Sequence, residues 1–173
     1  MNREDIPFVG LHAHSVAGSI FDGLGYPQEH MDFAYSNGMD ALALTDRGNM
    51  NGLAWQVLHA KKMQAEGKDF KPIFGCEAYF VPSIAEWRAD YERIMQDKKA
   101  ARAAKKAETS GATVEDEAAS KKAARNILNR RRHLVLLVQN QTGLNNLFKL
   151  ISESYQPENF YRYPRIDFDL LEK

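Results

Sequence analysis

Four short apolar runs, Phe8–His12, Ala41–Thr45, Pro72–Val81 and His133–Val138, set the limits on what this chain can fold into. Each has the length of a strand, and segments of helical character lie between them. Pro27–Ser36 predicts a helix, with Pro27 suited to its first turn and Asn37-Gly38 as its stop. Asn51–Glu66 predicts a second, with Leu53, Val57, Leu58 and Met63 at helical spacing and Gly67 ending it. Thr142–Ser154 predicts a third, with Thr142 as N-cap and Leu144, Leu147, Phe148 and Ile151 facing a core. Strands alternating with helices imply βαβ units and a mostly parallel α/β sheet or barrel. Four strands do not close a barrel, and Asn159–Lys173 reads as the lead into another element, so the fold is expected to be incomplete at the C-terminus.

The segment Trp87–Arg132 breaks this rhythm. It is rich in Ala and Lys, poor in large apolar residues, and interrupted at Thr109-Ser110-Gly111, which predicts two exposed helices inserted into the main domain. The expected organisation is therefore a main domain over 1–86 and 133–173 and a Lys/Ala-rich helical insert over 87–132. From Arg88 to Arg132 there are thirteen Lys and Arg against seven Asp and Glu. Two readings follow: a solvated helical hairpin, or a contact with DNA phosphates centred on Arg130, Arg131 and Arg132.

The charge balance bounds the partners. Formal net charge is zero, so non-specific nucleic-acid binding through overall charge is excluded. A single cysteine, Cys76, cannot form an internal disulfide and suits a reducing compartment. No apolar run reaches membrane-spanning length, and the polar start Met1-Asn2-Arg3-Glu4-Asp5 runs almost at once into a strand. The expectation is a soluble cytoplasmic chain without membrane contact.

The chemistry-bearing residues collect at strand boundaries. In Leu11-His12-Ala13-His14-Ser15 the two histidines alternate in an extended run, so both imidazoles project from one side, as half of a metal site. Asp22 lies in the turn Phe21-Asp22-Gly23, Asp46 follows the second apolar run, Glu77 sits inside the third and His133 opens the fourth. In α/β folds functional groups gather where strands meet loops. A carboxylate in an apolar strand is costly unless paired or bound to metal, so Glu77 requires a partner, either a cation or Arg47. Histidines and carboxylates around divalent ions are the equipment of phosphoester hydrolysis. His30 and His59 fall within helices and read as ordinary structural histidines, and Cys76 as a small buried apolar residue.

These runs, with Gly38–Asp46, Lys71–Glu77, His133–Leu137 and Gly143–Leu147, resemble the PHP (polymerase and histidinol phosphatase) domain. The version they are most similar to stands at the N-terminus of the bacterial DNA polymerase III alpha subunit, a C-family replicative polymerase. The resemblance implies a distorted (β/α) barrel related to the TIM barrel, with a metal cluster at one mouth. It further implies Zn, Mn or Mg as cofactor and a role in DNA replication, in some members with 3′→5′ exonuclease or phosphoesterase activity. Implied partners are the remainder of the polymerase, DNA and a separate proofreading exonuclease. Carried over by position, His12, His14, Asp22, Glu77 and His133 match metal ligands.

Three departures modify that picture. The family commonly reads Thr-Asp-His-Gly-Asn where this chain has Thr45-Asp46-Arg47-Gly48-Asn49, so Arg47 removes a ligand and adds a positive charge. The turn from His14 to Asp22 is a residue longer than usual. The later ligands, including an Asp-x-His pair, fall beyond Lys173, as do the polymerase palm and fingers. The expectation is a PHP segment of a split or shortened polymerase chain, weak or inactive alone. The alternatives are a degenerate PHP module that docks a proofreading exonuclease or the polymerase body, and a small-molecule phosphatase of the histidinol phosphatase type.

Overall fold

A computed structural model describes residues 8–107 and 122–173. Strand β1, Ala41–Leu44, is buried at every position and pairs in parallel with β2, Lys71–Phe80, from Ala41 opposite Lys71 to Leu44 opposite Phe74. The same offset continues past the end of β1 to a bridge between Arg47 and Glu77. Strand register therefore fixes Arg47 beside Glu77 before any side chain is considered.

Strand β3, Arg132–Leu137, lies on the other side of β2. Val138 N–H donates to Phe74 O at 2.8 Å, while the His133 ring packs edge-on against Tyr79, with centroids 5.4 Å apart. Those contacts run in opposite senses along β2, so β3 is antiparallel to it. The sheet is mixed, which corrects the expectation of a mostly parallel one: alternating strands and helices suggest parallel pairing but do not dictate it, and the long connection from β2 to β3 allows either sense. The first expected strand, Phe8–His12, is reduced to a bridge between Gly10 and Leu42. Its neighbourhood is nonetheless extended beside β1, with Ala43 N–H donating to Gly10 O at 2.7 Å and Thr45 N–H to Ala13 O at 2.8 Å.

The chain divides into two units, Met1–Tyr79 with His133–Glu153, and Phe80–Arg132 with Ser154–Lys173. In the first, helix α1 spans Pro27–Ser36 and α2 spans Leu53–Ala65. Glu29 accepts from the Tyr26 N–H at 2.6 Å, which satisfies an N-terminal donor of α1. Gly38, at φ 80°, ends the helix in a left-handed conformation that a side chain would strain. Met31, Ala34 and Met63 from these helices pack on Leu42, Leu44 and Phe70 to form the core.

Helix α5, Gln141–Ser154, begins one residue before the expected start. The Asn140 side chain accepts from Gly143 N–H at 2.9 Å, so Asn140 and not Thr142 is the cap. Leu147 is buried as expected, but Phe148 is exposed. Leu58 of α2 is exposed too. Helical spacing gives the direction of an apolar stripe and not its width, so residues at its margin can face outward. Cys76 is fully buried, and burial pushes its thiol up to about 12, consistent with the inert apolar role expected of it.

The second unit holds α3, Ile84–Ala107, a short helix over 122–128 (α4), the hairpin β4, Phe160–Tyr161, with β5, Tyr163–Pro164, and α6, Phe168–Leu171. The expected helix break at Thr109-Ser110-Gly111 lies outside the described residues. The expectation of two merely exposed helices needs correction: Trp87, Ile94 and Leu128 are buried. What gathers them is Arg165, whose exposure is 0%. Its Nη1 donates to the carbonyls of Tyr161 at 2.9 Å and Tyr163 at 3.0 Å, and its Nη2 to Leu128 O at 2.7 Å. The guanidinium lies 4.1 Å over the Trp87 ring, and the indole N–H donates to the same Leu128 carbonyl at 3.2 Å. Burial, reinforced by nearby Arg131, lowers the guanidinium to about 10, which leaves it charged at neutral pH. Asp167 joins two helix starts by accepting from Leu170 N–H at 3.0 Å and Ile84 N–H at 2.8 Å.

Arg162 alone separates β4 from β5 and has φ 60°, the sole non-glycine left-handed residue among those described. A side chain in that conformation costs roughly 1–2 kcal/mol.

Replacing Arg165 with Met keeps the volume but strands buried carbonyls. We expect Arg165→Met to cost roughly 2–4 kcal/mol of stability, read by urea denaturation. A loss below about 1 kcal/mol would show that Trp87 and Leu128 hold the second unit without it.

Candidate metal centre

Glu77 stands inside β2, and its side chain is 1% exposed. Its Oε2 lies 2.6 Å from His12 Nε2 and 2.6 Å from His14 Nε2, and those two nitrogens are 3.2 Å apart. On the other oxygen, Oε1 is hydrogen-bonded to His133 Nδ1 and lies 3.6 Å from Arg47 Nε. Burial opposes ionisation of Glu77. The hydrogen bonds from His12 and His14 and the charges of His133 and Arg47 outweigh that penalty, holding the carboxyl below the usual glutamate range.

Four of the five expected ligands thus converge. Asp22 stands one step out: its Oδ2 lies 3.5 Å from His14 Nδ1 and 2.8 Å from Arg47 Nε. The Arg47 Nε–H is not aligned for a hydrogen bond at that distance, so the contact is chiefly Coulombic. Arg47 therefore pairs first with Asp22 and only second with Glu77. His30 and His59 stay outside the cluster, His59 Nε2 meeting Asp32 Oδ1 at 2.8 Å.

The donor set fits a divalent cation. One ligand atom from each of His12, His14 and Glu77 can be chosen with all three within 4.8 Å of one another. Neutral imidazole nitrogen and carboxylate oxygen suit Zn or Mn, and His133 stands ready on the second carboxylate oxygen. A guanidinium has no lone pair, so Arg47 cannot ligate. It engages Asp22 electrostatically instead.

The loop that carries these residues is organised by Asp46, which the sequence pointed to only as an acid after a strand. Its carboxylate is buried and accepts from Ser15 N–H at 2.6 Å, Ser15 Oγ–H at 2.7 Å and Ser19 Oγ–H at 3.0 Å. Ser19 Oγ in turn accepts from Arg47 N–H at 3.0 Å. Backbone pairing locks the acid in place: Glu77 N–H donates to Asp46 O at 3.0 Å and Gly48 N–H to Glu77 O at 2.9 Å. Gly23 closes the loop against Ser15, where a Cβ would lie 2.3 Å from the Ser15 carbonyl. Ser15 and Ser19, which hold the Asp46 carboxylate, are residues that sequence reasoning missed. The signal was an acid at the end of an apolar strand, with Ser15 directly after His14 and Ser19 in the same turn.

Of the basic triplet, Arg130 pairs with Asp90 at 2.7 Å. Arg131 donates to Asn129 O at 3.0 Å and lies 3.8 Å over the Tyr163 ring. Arg132 is exposed at the start of β3. The fold itself engages two of the three.

Asp46→Ala leaves three buried donors without an acceptor. We expect a loss of roughly 2–4 kcal/mol in chemical denaturation, with Asp46→Asn falling between it and the wild type because one acceptor oxygen remains. Equal losses for the two variants would mean that charge, not hydrogen bonding, organises the loop.

The profile of the PHP domain family matches residues 10–173. The chain is 34% identical over 165 residues to the DNA polymerase III subunit alpha of Treponema pallidum, covering 95% of this chain and 10% of that protein. It is 32% identical over 166 residues to the Aquifex aeolicus subunit, covering 96% of this chain and 11% of that protein. The Borreliella burgdorferi subunit is 33% identical over 166 residues, again 96% against 11%. The chain thus spans about a tenth of the length of these relatives, and the matching region is their N-terminal one. A mixed α/β chain with a His, His and Glu cluster at the central strand of its sheet, matched over nearly its whole length, belongs to the PHP domain family.

Proposed function

We propose that this chain serves as the N-terminal PHP segment of a DNA polymerase III alpha-type replicative polymerase, with the polymerase reaction residing elsewhere. The observation that carries this reading is the convergence of His12, His14 and His133 on buried Glu77, in a chain similar along 95% of its length to such subunits. The proposed architecture is the distorted (β/α) barrel of the family, with the three-stranded sheet as part of its wall. The partners are the remainder of the polymerase and DNA.

The residues would hold one divalent ion through His12, His14, Glu77 and His133. Such an ion supplies Lewis-acid polarisation of a phosphoryl oxygen. The protein's own share is orientation. Asp46 fixes the backbone that follows His14, and Glu77 gathers the two imidazole Nε2 atoms at one carboxylate oxygen, where a cation would take the place of the protons. Arg47 holds Asp22 in an ion pair at 2.8 Å, which withdraws one carboxylate from the cluster. Weak metal-dependent cleavage of a DNA phosphodiester is the activity this arrangement supports. That same ion pair favours the second reading, a PHP module whose remaining role is to dock a proofreading exonuclease or the polymerase body.

Metal content of the purified chain, measured with cleavage of single-stranded DNA in added Mn²⁺ or Zn²⁺, separates the two. We expect close to one bound ion per chain, lost in His12→Ala together with any cleavage. Arg47→His frees Asp22 and adds a ligand, so it should tighten metal binding at least ten-fold. A metal-free, inert wild type that also gains nothing from Arg47→His would leave the docking reading.

A further inference from the structure

The second unit contains a basic recess that the metal centre does not use. It has a volume of about 200 Å³ and is lined by Lys98 of α3, Arg125, Leu128 and Asn129 of α4 and its end, and Tyr161 and Arg162 of the hairpin. Of the cations nearby on these elements, Arg88 pairs with Glu92 at 3.3 Å, and Arg93 and Arg130 with Asp90 at 2.8 and 2.7 Å, while Lys99, Arg102 and Lys122 lie elsewhere on the surface without an ion pair to any described residue. Lys98, Arg125 and Arg162 make no ion pair with any described residue. Three like charges facing one hollow repel one another until an anion enters.

Two further features point the same way. Arg162 occupies the one-residue turn at φ 60°, where Gly or Asn would sit without strain, and strain of that kind collects at ligand-binding positions. Asn129 Oδ1 is buried with no hydrogen-bond partner, and a turn of its amide would present the NH₂ group there instead.

We propose that this recess binds a backbone phosphate of single-stranded DNA through Lys98, Arg125 and Arg162, with Tyr161 as an aromatic wall. Guanidinium groups suit phosphate by their forked donors, and a cationic groove beside an aromatic ring is the combination that holds single strands. The choice of DNA rests on the polymerase reading above; the anion site itself rests on the recess. It moves the DNA contact from the Arg130–Arg132 triplet, largely engaged within the fold, to three cations with no carboxylate partner among the described residues.

Arg162→Gly tests it without endangering the fold, because glycine accepts the left-handed turn. The measurement is anisotropy of a labelled oligothymidylate with the whole 173-residue chain, as a function of salt, together with thermal melting. We expect Arg162→Gly to raise the melting temperature by roughly 2–4 °C while weakening oligonucleotide binding at least five-fold and lowering the salt slope by about 0.7. Arg162→Lys should keep most of the affinity, and Lys98→Ala with Arg125→Ala should reproduce the loss. Absent binding by the wild type, unchanged affinity in Arg162→Gly, or a fall in its melting temperature would each overturn the proposal. Inorganic phosphate is the second probe. If it stabilises the wild type but not Arg162→Gly while oligonucleotide binding is equal in both, the site takes a free anion and the DNA assignment fails. Metal content and His12→Ala cleavage are read separately, so failure of the recess and failure of the metal reading are distinguishable.

Discussion

A carboxylate buried in the middle of an apolar strand is the constraint on which the first unit is arranged. Glu77 at 1% exposure would cost several kcal/mol if left alone. Three imidazoles and a guanidinium approach it, and together they reverse the direction in which burial pushes its ionisation. The strands have to deliver these groups. The parallel register brings Arg47 opposite Glu77, the extended segment at Gly10 leads His12 and His14 in from one side, and antiparallel β3 brings His133 from the other. The mixed sheet is therefore a requirement of the site: a parallel β3 meeting Phe74 at Val138 would carry His133 away from Glu77.

Asp46 and Glu77 divide the work between them. Both are buried acids, two backbone hydrogen bonds link their strands, and their partners differ in kind. Asp46 is satisfied wholly by an amide and two hydroxyls, donors that belong to the fold and cannot leave. Glu77 is satisfied by imidazoles, whose inward nitrogens carry either a proton or a lone pair. The same geometry can thus be closed by protons or by a metal ion, and the loop around Asp46 need not change between the two.

The sequence made the site legible and the sheet less so. His12, His14 and Glu77 declared themselves because their chemistry is out of place in apolar runs, and α1 because Pro27 and Gly38 mark its ends. The direction of β3 was not legible: a near-continuous apolar run reads as a parallel strand covered on both faces, and β3 departs from that reading by pairing antiparallel. Nor was Asn140 as a cap, since Asn140, Gln141 and Thr142 all offer polar side chains and only the backbone decides which one is used. The insert misled because its scarce large residues, Trp87, Ile94 and Leu128, are the buried ones. Composition averages over such residues, and a few anchors around one buried arginine suffice to fix the second unit.

Arg47 shows how an arginine beside a cluster of imidazoles and carboxylates acts through its charge. With Glu77 and Asp22 ionised, the cluster carries two negative charges, and Arg47 cancels one of them. Its guanidinium lies nearer Asp22 than Glu77, 2.8 against 3.6 Å, and Asp22 is the outer, more exposed acid. Ion pairing there costs little desolvation, whereas pairing with buried Glu77 would have displaced the imidazoles from it. The inner His12, His14, His133 and Glu77 group is preserved because the arginine has a less buried partner to take. Convergence of three histidines on one buried carboxylate takes two elements, the extended segment that carries His12 and His14 and the strand β3 that carries His133. The geometry therefore separates what Arg47 engages, the outer carboxylate, from what it leaves, an inner His12, His14 and Glu77 group that could hold a cation.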